Sequence, residues 1–244
     1  MQAAEIIKRF LDLSNPAQAR HLARFFKTGE GEYGYGDKFL GIKVPQTRNI
    51  VKQYKDTAGI EDCIVLIKSE WHEIRLAGFL LLIELYRRAK KNGNEAKVRE
   101  IVNIYIDHIP YGNNWDLVDL VCEFILGDRL KDHPEERYIL DEFADMDGSL
   151  WHQRVAIVST HALIRAASFE DTIRISKKFL CHKHHLIHKA TGWMLREMGK
   201  RGGYDELIAF LDKHTTSMPR TALRYSIERL PEDLRQHYLK KKLE

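Results

Sequence analysis

Apolar residues recur at three- and four-residue spacings along almost the whole chain, as in IVKQY at 50–54, LVDLVCEFIL at 117–126 and VAIVSTHALI at 155–164. This spacing is typical of amphipathic helices, which bury one apolar face. Alternating patterns long enough for strands are missing. The sequence therefore predicts an all-α fold.

Four of the six prolines stand just ahead of periodic segments, at Pro16, Pro45, Pro134 and Pro219. A proline in the first helical turn loses no intrahelical hydrogen bond, so these positions predict helix starts. The glycine-rich stretch GEGEYGYGDKFLG, residues 29–41, cannot be helical throughout. We expect either an ordered loop or a flexible lid there.

Five segments share a pattern in which a polar or basic start is followed by apolar residues; they begin near 71, 114, 150, 185 and 218. Basic residues recur within them at intervals of roughly 31 to 40 positions, a period typical of stacked helical pairs. We predict an α-solenoid with a concave basic surface, forming a single repeat domain over residues 1–244. Chance similarity between helices is the alternative.

The composition is that of a globular protein with a continuous core, with 44% apolar and 30% charged residues. No stretch of eighteen uncharged apolar residues could span a membrane, and the first residues lack the pattern of a secretory signal. A cytoplasmic protein without a membrane partner is expected. Three cysteines without CxxC spacing fit buried thiols in a reducing compartment.

Charge is segregated along the chain although the net charge is only +4. The net charge, counted as Lys and Arg minus Asp and Glu, is about +5 for residues 1–100, about −9 for 101–150 and about +8 for 151–244. Eight of the twelve histidines also lie in residues 151–244. This favours a basic surface for a polyanion, and solvated helix faces are the alternative.

The segment NNWDLVDL, residues 113–120, is the strongest candidate for chemistry. If Asn113 or Asn114 caps a helix, Trp115 and Asp119 lie one turn apart on one face. Apolar residues flank Asp119, and an anion among them is costly without a partner or a task. Asp119 therefore either forms a structural salt bridge with a later repeat or takes part in a reaction.

Two later segments also combine tryptophan with basic residues. In LWHQR, Trp151 and Arg154 are one turn apart, and in HKATGWMLR, Lys189 and Arg196 flank Trp193 on one helical stripe. Tryptophan is usually a core residue. Together with an isolated carboxylate, however, indoles and guanidiniums could hold phosphates, pack against a base or sugar and stabilise a developing cation.

In order, NNWDLVDL, LWHQRVAI and KATGWMLREMGK resemble motifs of AlkD-type DNA alkylation repair enzymes, a family of DNA glycosylases built from HEAT-like repeats. The segment FFKTGEGEYGYGDKFLGIKVPQTRNIVKQYKD at 25–56 is similar to the opening of such proteins, although its glycine-rich part departs from them. The resemblance runs from about residue 20 to residue 230.

The resemblance implies hydrolysis of the N-glycosidic bond of cationic alkylpurines, such as 3-methyladenine and 7-methylguanine, in double-stranded DNA. This reaction is the first step of base excision repair. The resemblance implies that the base is not drawn into a pocket and that no metal or other cofactor is needed. The implied roles are catalytic for Trp115, Asp119 and Trp193, and DNA-binding for Trp151, Arg154, Lys189, Arg196 and Arg220.

Two other functions stay open on the sequence. A non-catalytic HEAT-like module could bind DNA structures or a protein, with Asp119 held in a salt bridge. A metal-dependent hydrolase could use His184 and His188 of CHKHHLIH, although His185 stands where zincins carry a glutamate. The charged end LKKKLE favours a monomer.

Overall fold

The structure is a computed structural model that describes residues 2–241. Over these residues the chain forms α-helices and short 3₁₀ turns, and the only extended pairing is an isolated bridge between Lys38 and Trp71. The prediction of an all-α fold is confirmed. Contacts divide the chain into two compact units, residues 1–121 and residues 122–244.

The first unit contains seven α-helices among its described residues. They are α1 (Ala3–Asp12), α2 (Pro16–Phe25), α3 (Val44–Tyr54), α4 (Ile60–Ile67), α5 (His72–Lys91), α6 (Glu95–Asp107) and α7 (Trp115–Asp119), with a 3₁₀ turn at Ile109–Tyr111. The central helix α5 packs against α3, α4 and α6. Its residues 72–83 are all buried, so α5 forms the axis of this core.

The second unit contains eight α-helices among its described residues. They are α8 (Leu126–Asp132), α9 (Ile139–Ala144), α10 (Leu150–Arg165), α11 (Glu170–Lys178), α12 (His185–Lys200), α13 (Tyr204–His214), α14 (Arg220–Ser226) and α15 (Glu232–Lys240), with 3₁₀ turns at Cys122–Phe124 and Pro134–Glu136. Helix α10 packs against α8, α9, α11 and α12, and α12 packs against α14.

The five similar segments of the sequence each coincide with a helix start, at α5, α7, α10, α12 and α14. Pro16 and Pro45 lie in the first turns of α2 and α3, Pro134 begins a 3₁₀ turn, and Pro219 caps α14. Several helices adjacent in sequence pack together, α4 with α5 and α5 with α6 in the first unit and α9 to α12 successively in the second, as stacked helical repeats do. The concave basic surface stays a prediction.

A glycine sets one of the closest helix packings. A Cβ added at Gly192 of α12 would lie 2.4 Å from the Ala222 carbonyl oxygen on α14, so only glycine lets the two backbones approach this closely. Helices α12 and α14, which carry Lys189, Arg196 and Arg220, therefore form one tightly packed pair.

Two of the three cysteines, Cys63 and Cys122, are buried, and burial raises the pKa of the Cys63 thiol to about 12. The expectation of buried thiols is wrong for Cys181, which is exposed in the loop before α12. None of the helices at residues 2–241 is long and apolar enough to cross a membrane. The last three residues of LKKKLE lie outside the described part of the chain.

Candidate functional site

Helix α7 carries both Trp115 and Asp119 but is only five residues long. Of the two candidate caps, Asn114 occupies the N-cap position, and its side-chain oxygen accepts the Trp115 N–H at 3.0 Å. Its amide also donates to the Phe26 carbonyl at 3.2 Å, and the residue is fully buried. A helix this short is unstable alone, so tertiary contacts hold it.

Aromatic rings support the indole of Trp115. Phe26 stacks on it with ring centroids 5.2 Å apart, and Phe25 meets it edge-on at 6.0 Å. Trp115 is partly exposed, and Phe25 is 57% exposed. The start of α7 therefore presents a rigid aromatic surface to solvent.

The two carboxylates of α7 differ in their surroundings. Asp119 is partly exposed at the end of the helix. Asp116 is buried, accepts the Leu117 N–H at 3.0 Å and lies 2.9 Å from Nε2 of His72. Asp116 thus has a local structural contact, while Asp119 is the α7 carboxylate that solvent can reach.

A buried ionic cluster lies beneath the start of α7. His72, the first residue of α5, contacts Asp37 through Nδ1 at 2.7 Å and Asp116 through Nε2 at 2.9 Å. Arg75, one turn further on, donates to Asp37 and, at 2.9 Å, to Asn113. All but Asn113 are under 9% exposed. The cluster joins the glycine-rich loop, α5 and α7.

Burial alone would lower the pKa of His72, but the carboxylates of Asp116 and Asp37 outweigh it and raise this pKa to about 9. Burial likewise opposes ionisation of Asp37, and His72 and Arg75 reverse that effect and lower its pKa. The buried cluster then contains two negative charges and two positive charges, on Asp37, Asp116, His72 and Arg75.

Glu73 fixes the end of the glycine-rich segment. Its carboxylate accepts three backbone N–H groups, from Leu40, Gly41 and Ile42, at 2.8 to 3.0 Å, and its side chain is buried. Gly41 has a φ of +88°, and a Cβ there would lie 2.2 Å from the Asn15 carbonyl. These contacts fix residues 40–42, and the choice between an ordered loop and a flexible lid for residues 29–41 stays a prediction.

In the second unit, α10 places Trp151 and Arg154 one turn apart. Trp151 is partly exposed, whereas Arg154 is buried and donates to the Leu186 carbonyl at 2.6 Å. This bond joins the start of α10 to the start of α12.

Helix α12 carries Lys189, Trp193 and Arg196 at the predicted helical spacing. Lys189 is exposed and Trp193 partly exposed, and Arg196 forms an ion pair with Glu228. Arg220, at the start of α14, donates to the Leu239 carbonyl at 2.6 Å and to that of Lys241 at 3.3 Å. Its guanidinium therefore caps the end of α15.

Histidines shape the start of α12. His184 is its N-cap, and Nδ1 of this residue accepts the Leu186 N–H at 3.2 Å. Nδ1 of His182 accepts the His184 N–H at 3.0 Å, and Nε2 of His188 lies against the His182 carbonyl. His184 and His188, the pair expected for a hydrolase metal, thus have helix-capping and loop-binding contacts.

We expect acid to destabilise this start of α12. Burial and then the charges of His185, His182, His188 and Arg154 lower the pKa of His184 to about 4, so the unfolded chain takes up a proton between pH 6.5 and 4 that the folded chain does not. The stabilisation is complete above pH 6.5 and is lost as the pH falls toward 4.

Chemical unfolding at a series of pH values measures this loss. His184→Asn keeps an N-cap acceptor without a titrating ring, so its free energy of unfolding should fall less steeply over the same range. An unchanged slope in this variant would assign the acid sensitivity to other groups.

Comparisons with known proteins show the family of the chain and a structure with a similar fold. The family model described as DNA alkylation repair enzyme matches residues 6–230, nearly the whole chain. The chain belongs to the DNA alkylation repair enzyme family. Among solved structures, a protein titled "Predicted DNA alkylation repair enzyme from Enterococcus faecalis" has a similar fold, with a TM-score of 0.69 and 19% identity over 90% of this chain and 97% of that one. No curated protein matches the chain.

In this member of the DNA alkylation repair enzyme family, Trp193 also has a supporting group. The ring of His161 lies 5.9 Å from it, and His161 contacts Glu123 at 2.8 Å. Arg165 donates to the same carboxylate at 2.8 Å. Burial opposes ionisation of Glu123, but His161 and Arg165 lower its pKa below the usual range. The network therefore fixes the imidazole beside the indole.

The sequence analysis missed the residues that support α7 and the glycine-rich loop in this DNA alkylation repair protein, namely Asp37, His72 and Glu73. One signal was present. The motif WHEIR, 71–75, places three ionisable residues at the start of the helix with the longest apolar run, where burial requires each to have a partner. Sequence spacing alone could not identify those partners, which lie more than 30 positions away in the chain.

Proposed function

We propose that this protein is a DNA glycosylase that hydrolyses the N-glycosidic bond of cationic N3- or N7-alkylated purines in double-stranded DNA. Its membership in the DNA alkylation repair enzyme family supports a role in DNA alkylation repair. The product of such a reaction is an abasic site, so the protein would act at the first step of base excision repair.

The observation that carries the proposal is that the two carboxylates of α7 differ in their exposure to solvent. The helix presents a partly exposed indole and a partly exposed carboxylate, Trp115 and Asp119, one turn apart. Its other carboxylate, Asp116, is buried against His72. One accessible carboxylate beside an aromatic surface suits the stabilisation of a positively charged sugar.

The reaction needs few groups because alkylation at N3 or N7 already gives the base a positive charge. The base can leave as a neutral molecule without protonation by a general acid. As its bond to C1′ stretches, positive charge develops on the deoxyribose, and the Asp119 carboxylate stabilises that charge and orients the attacking water. Unlike most glycoside hydrolases, this scheme uses one carboxylate rather than a pair.

We propose that Trp115 packs against the sugar and backbone and excludes bulk water, which strengthens the electrostatic effect of a carboxylate. Trp193, on the second unit, is likewise proposed to pack against the DNA. The alkylated base is already a good leaving group within the stacked duplex, so the proposed mechanism does not require the base to be rotated into a pocket. We propose that the base stays in the stack, unlike the flipped bases of most enzymes that act on nucleobases.

The proposed DNA contacts lie on the second unit and are Trp151, Arg154, Lys189, Arg196 and Arg220. Contacts to phosphates carry no sequence information, which suits a lesion that can form at any position. Lys189 is the most accessible of these cations, since the three arginines already donate to carbonyls or carboxylates of the chain.

Release of 7-methylguanine from methylated duplex DNA by the purified protein tests the proposal. Free base and abasic sites should accumulate with methylated DNA and not with an unmethylated duplex. Binding to DNA without any base release would instead favour the second candidate, a non-catalytic DNA-binding module. No specific observation of the structure favours that module over the enzyme.

We expect Lys189→Ala to weaken DNA binding and to make it less sensitive to salt. Loss of one phosphate contact reduces the slope of log K against log salt concentration by about 0.9. Fluorescence anisotropy with a labelled duplex at several salt concentrations measures this slope. Lys97→Ala on α6, where Lys97 pairs with Glu100 at 3.0 Å, serves as the matched control and should leave it unchanged. If the salt dependence of DNA binding has the same slope for Lys189→Ala and the wild type, Lys189 does not contact a phosphate.

A further inference from the structure

The buried ion cluster under α7 has a geometry that only one protonation state of His72 satisfies. Each ring nitrogen of this residue faces a carboxylate oxygen, of Asp37 at 2.7 Å and of Asp116 at 2.9 Å. A neutral imidazole has one N–H and one lone pair, so it can donate to only one of two carboxylates. The doubly protonated ring donates to both.

The two carboxylates that contact His72 favour the protonated ring. Asp37 comes from the glycine-rich loop and Asp116 from α7, and both are acceptors. Arg75 on α5 opposes the charge, but it donates to the second oxygen of Asp37 and so keeps that carboxylate in place. Glu73, also on α5, is directed to the backbone of residues 40–42.

The ring is also held from its faces. Phe39 stacks on His72 with centroids 4.4 Å apart, and Phe26 lies 5.1 Å away. Phe26 is the same residue that stacks on Trp115. A displacement of His72 would therefore reach Trp115 by two routes, through the Asp116 carboxylate and through the Phe26 ring.

We propose that His72, in its imidazolium form, is a positioning residue that holds α7 so that Trp115 and Asp119 are presented together. It acts through Asp116 and Phe26. The part of this inference that concerns activity rests on the proposed glycosylase function. The part that concerns the orientation of α7 does not.

Loss of the ring proton would turn a nitrogen lone pair toward a carboxylate oxygen, and the buried attraction would become a repulsion. Because the pKa of His72 is raised, its ion pairs stabilise the fold more at low pH than at high pH. This stabilisation of the folded chain is complete below pH 6.5, the pKa of an unperturbed histidine, and is lost as the pH rises through about 9. An alkaline limit to activity is the expected consequence.

The first test reads protonation and orientation directly in the intact chain. Long-range ¹H–¹⁵N NMR spectra, assigned with the His72→Gln variant, show whether each ring nitrogen carries a proton. We expect both to be protonated at pH 7.5, and we expect the indole N–H signal of Trp115 to shift when His72 titrates near pH 9. A neutral His72 at pH 7.5, or a Trp115 signal that does not follow its titration, would overturn the proposal.

The second test uses base excision under single-turnover conditions. His72→Gln should lower the excision rate at least tenfold with less than threefold change in DNA affinity, and Asp37→Asn should move the alkaline limb of the pH profile to lower pH. His108→Gln is the control, because His108 is a buried histidine at the C-cap of α6 whose Nδ1 contacts the Ile104 carbonyl. Its pH profile should match the wild type.

The outcomes separate the two proposals. An unshifted pH profile in Asp37→Asn, or an equal loss of rate in His108→Gln, would reduce His72 to a general contribution to stability and overturn its positioning role. Absence of base release by the wild type would instead overturn the glycosylase function, and the NMR titration would still decide whether His72 orients α7.

Discussion

Asp119→Asn is expected to reduce the rate of base excision by about a thousandfold or more, while the affinity for DNA changes little. Asparagine keeps the volume of the side chain and removes the negative charge, so the developing charge on the deoxyribose loses its stabilisation. Single electrostatic contacts to a transition state are worth about 10²–10³ in rate, and a full charge at the reacting sugar should lie at or above the upper end. Single-turnover release of 7-methylguanine measures the effect.

Asp107→Asn is a matched control, since Asp107 is an exposed carboxylate at the end of α6 in the same unit. Its excision rate should equal that of the wild type. Should Asp119→Asn retain full activity, the carboxylate would have no catalytic role, and the mechanism proposed above would fail.

Glu73→Ala is expected to destabilise the fold by about 3 to 5 kcal/mol. The substitution leaves the backbone N–H groups of Leu40, Gly41 and Ile42 buried without their acceptor, and each such group costs about 1–3 kcal/mol. Urea unfolding followed by circular dichroism gives the free energy.

Glu70→Ala, three positions earlier, provides the comparison. Glu70 pairs with Lys38 at 2.7 Å, but both side chains are more than half exposed, so the pair should contribute less than about 1 kcal/mol. A similar free energy of unfolding for the two variants would mean that the glycine-rich loop does not depend on the carboxylate beneath it.

The repeating helices were predictable from the sequence because their signals are local. Apolar spacing defines a helical face within a few turns, and the prolines and asparagine caps mark where helices begin. The starts of α5, α7, α10, α12 and α14 follow from these signals. The choice between Asn113 and Asn114 as the cap of α7 did not, because both side chains have the same chemistry and only their tertiary contacts, with Arg75 and with Phe26, separate them.

The candidate site was predictable in part. Helical spacing places Trp115 with Asp119 and Lys189 with Trp193, and the helices α7 and α12 have that spacing. The burial of Arg154 and the capping contacts of Arg220 were not evident, because a sequence pattern gives the face of a helix but not the groups opposite it. The roles of these residues in DNA binding stay predictions.

The balanced charges of Asp37, His72, Arg75 and Asp116 constrain how this chain can diverge. Replacing one member leaves an uncompensated ion in the core, which costs about 3–5 kcal/mol, whereas exchanging a whole pair for apolar residues can be neutral. Homologues that lose the imidazole should therefore have lost an acidic partner as well. Covariation among these four positions is the evolutionary trace that the ion cluster should leave.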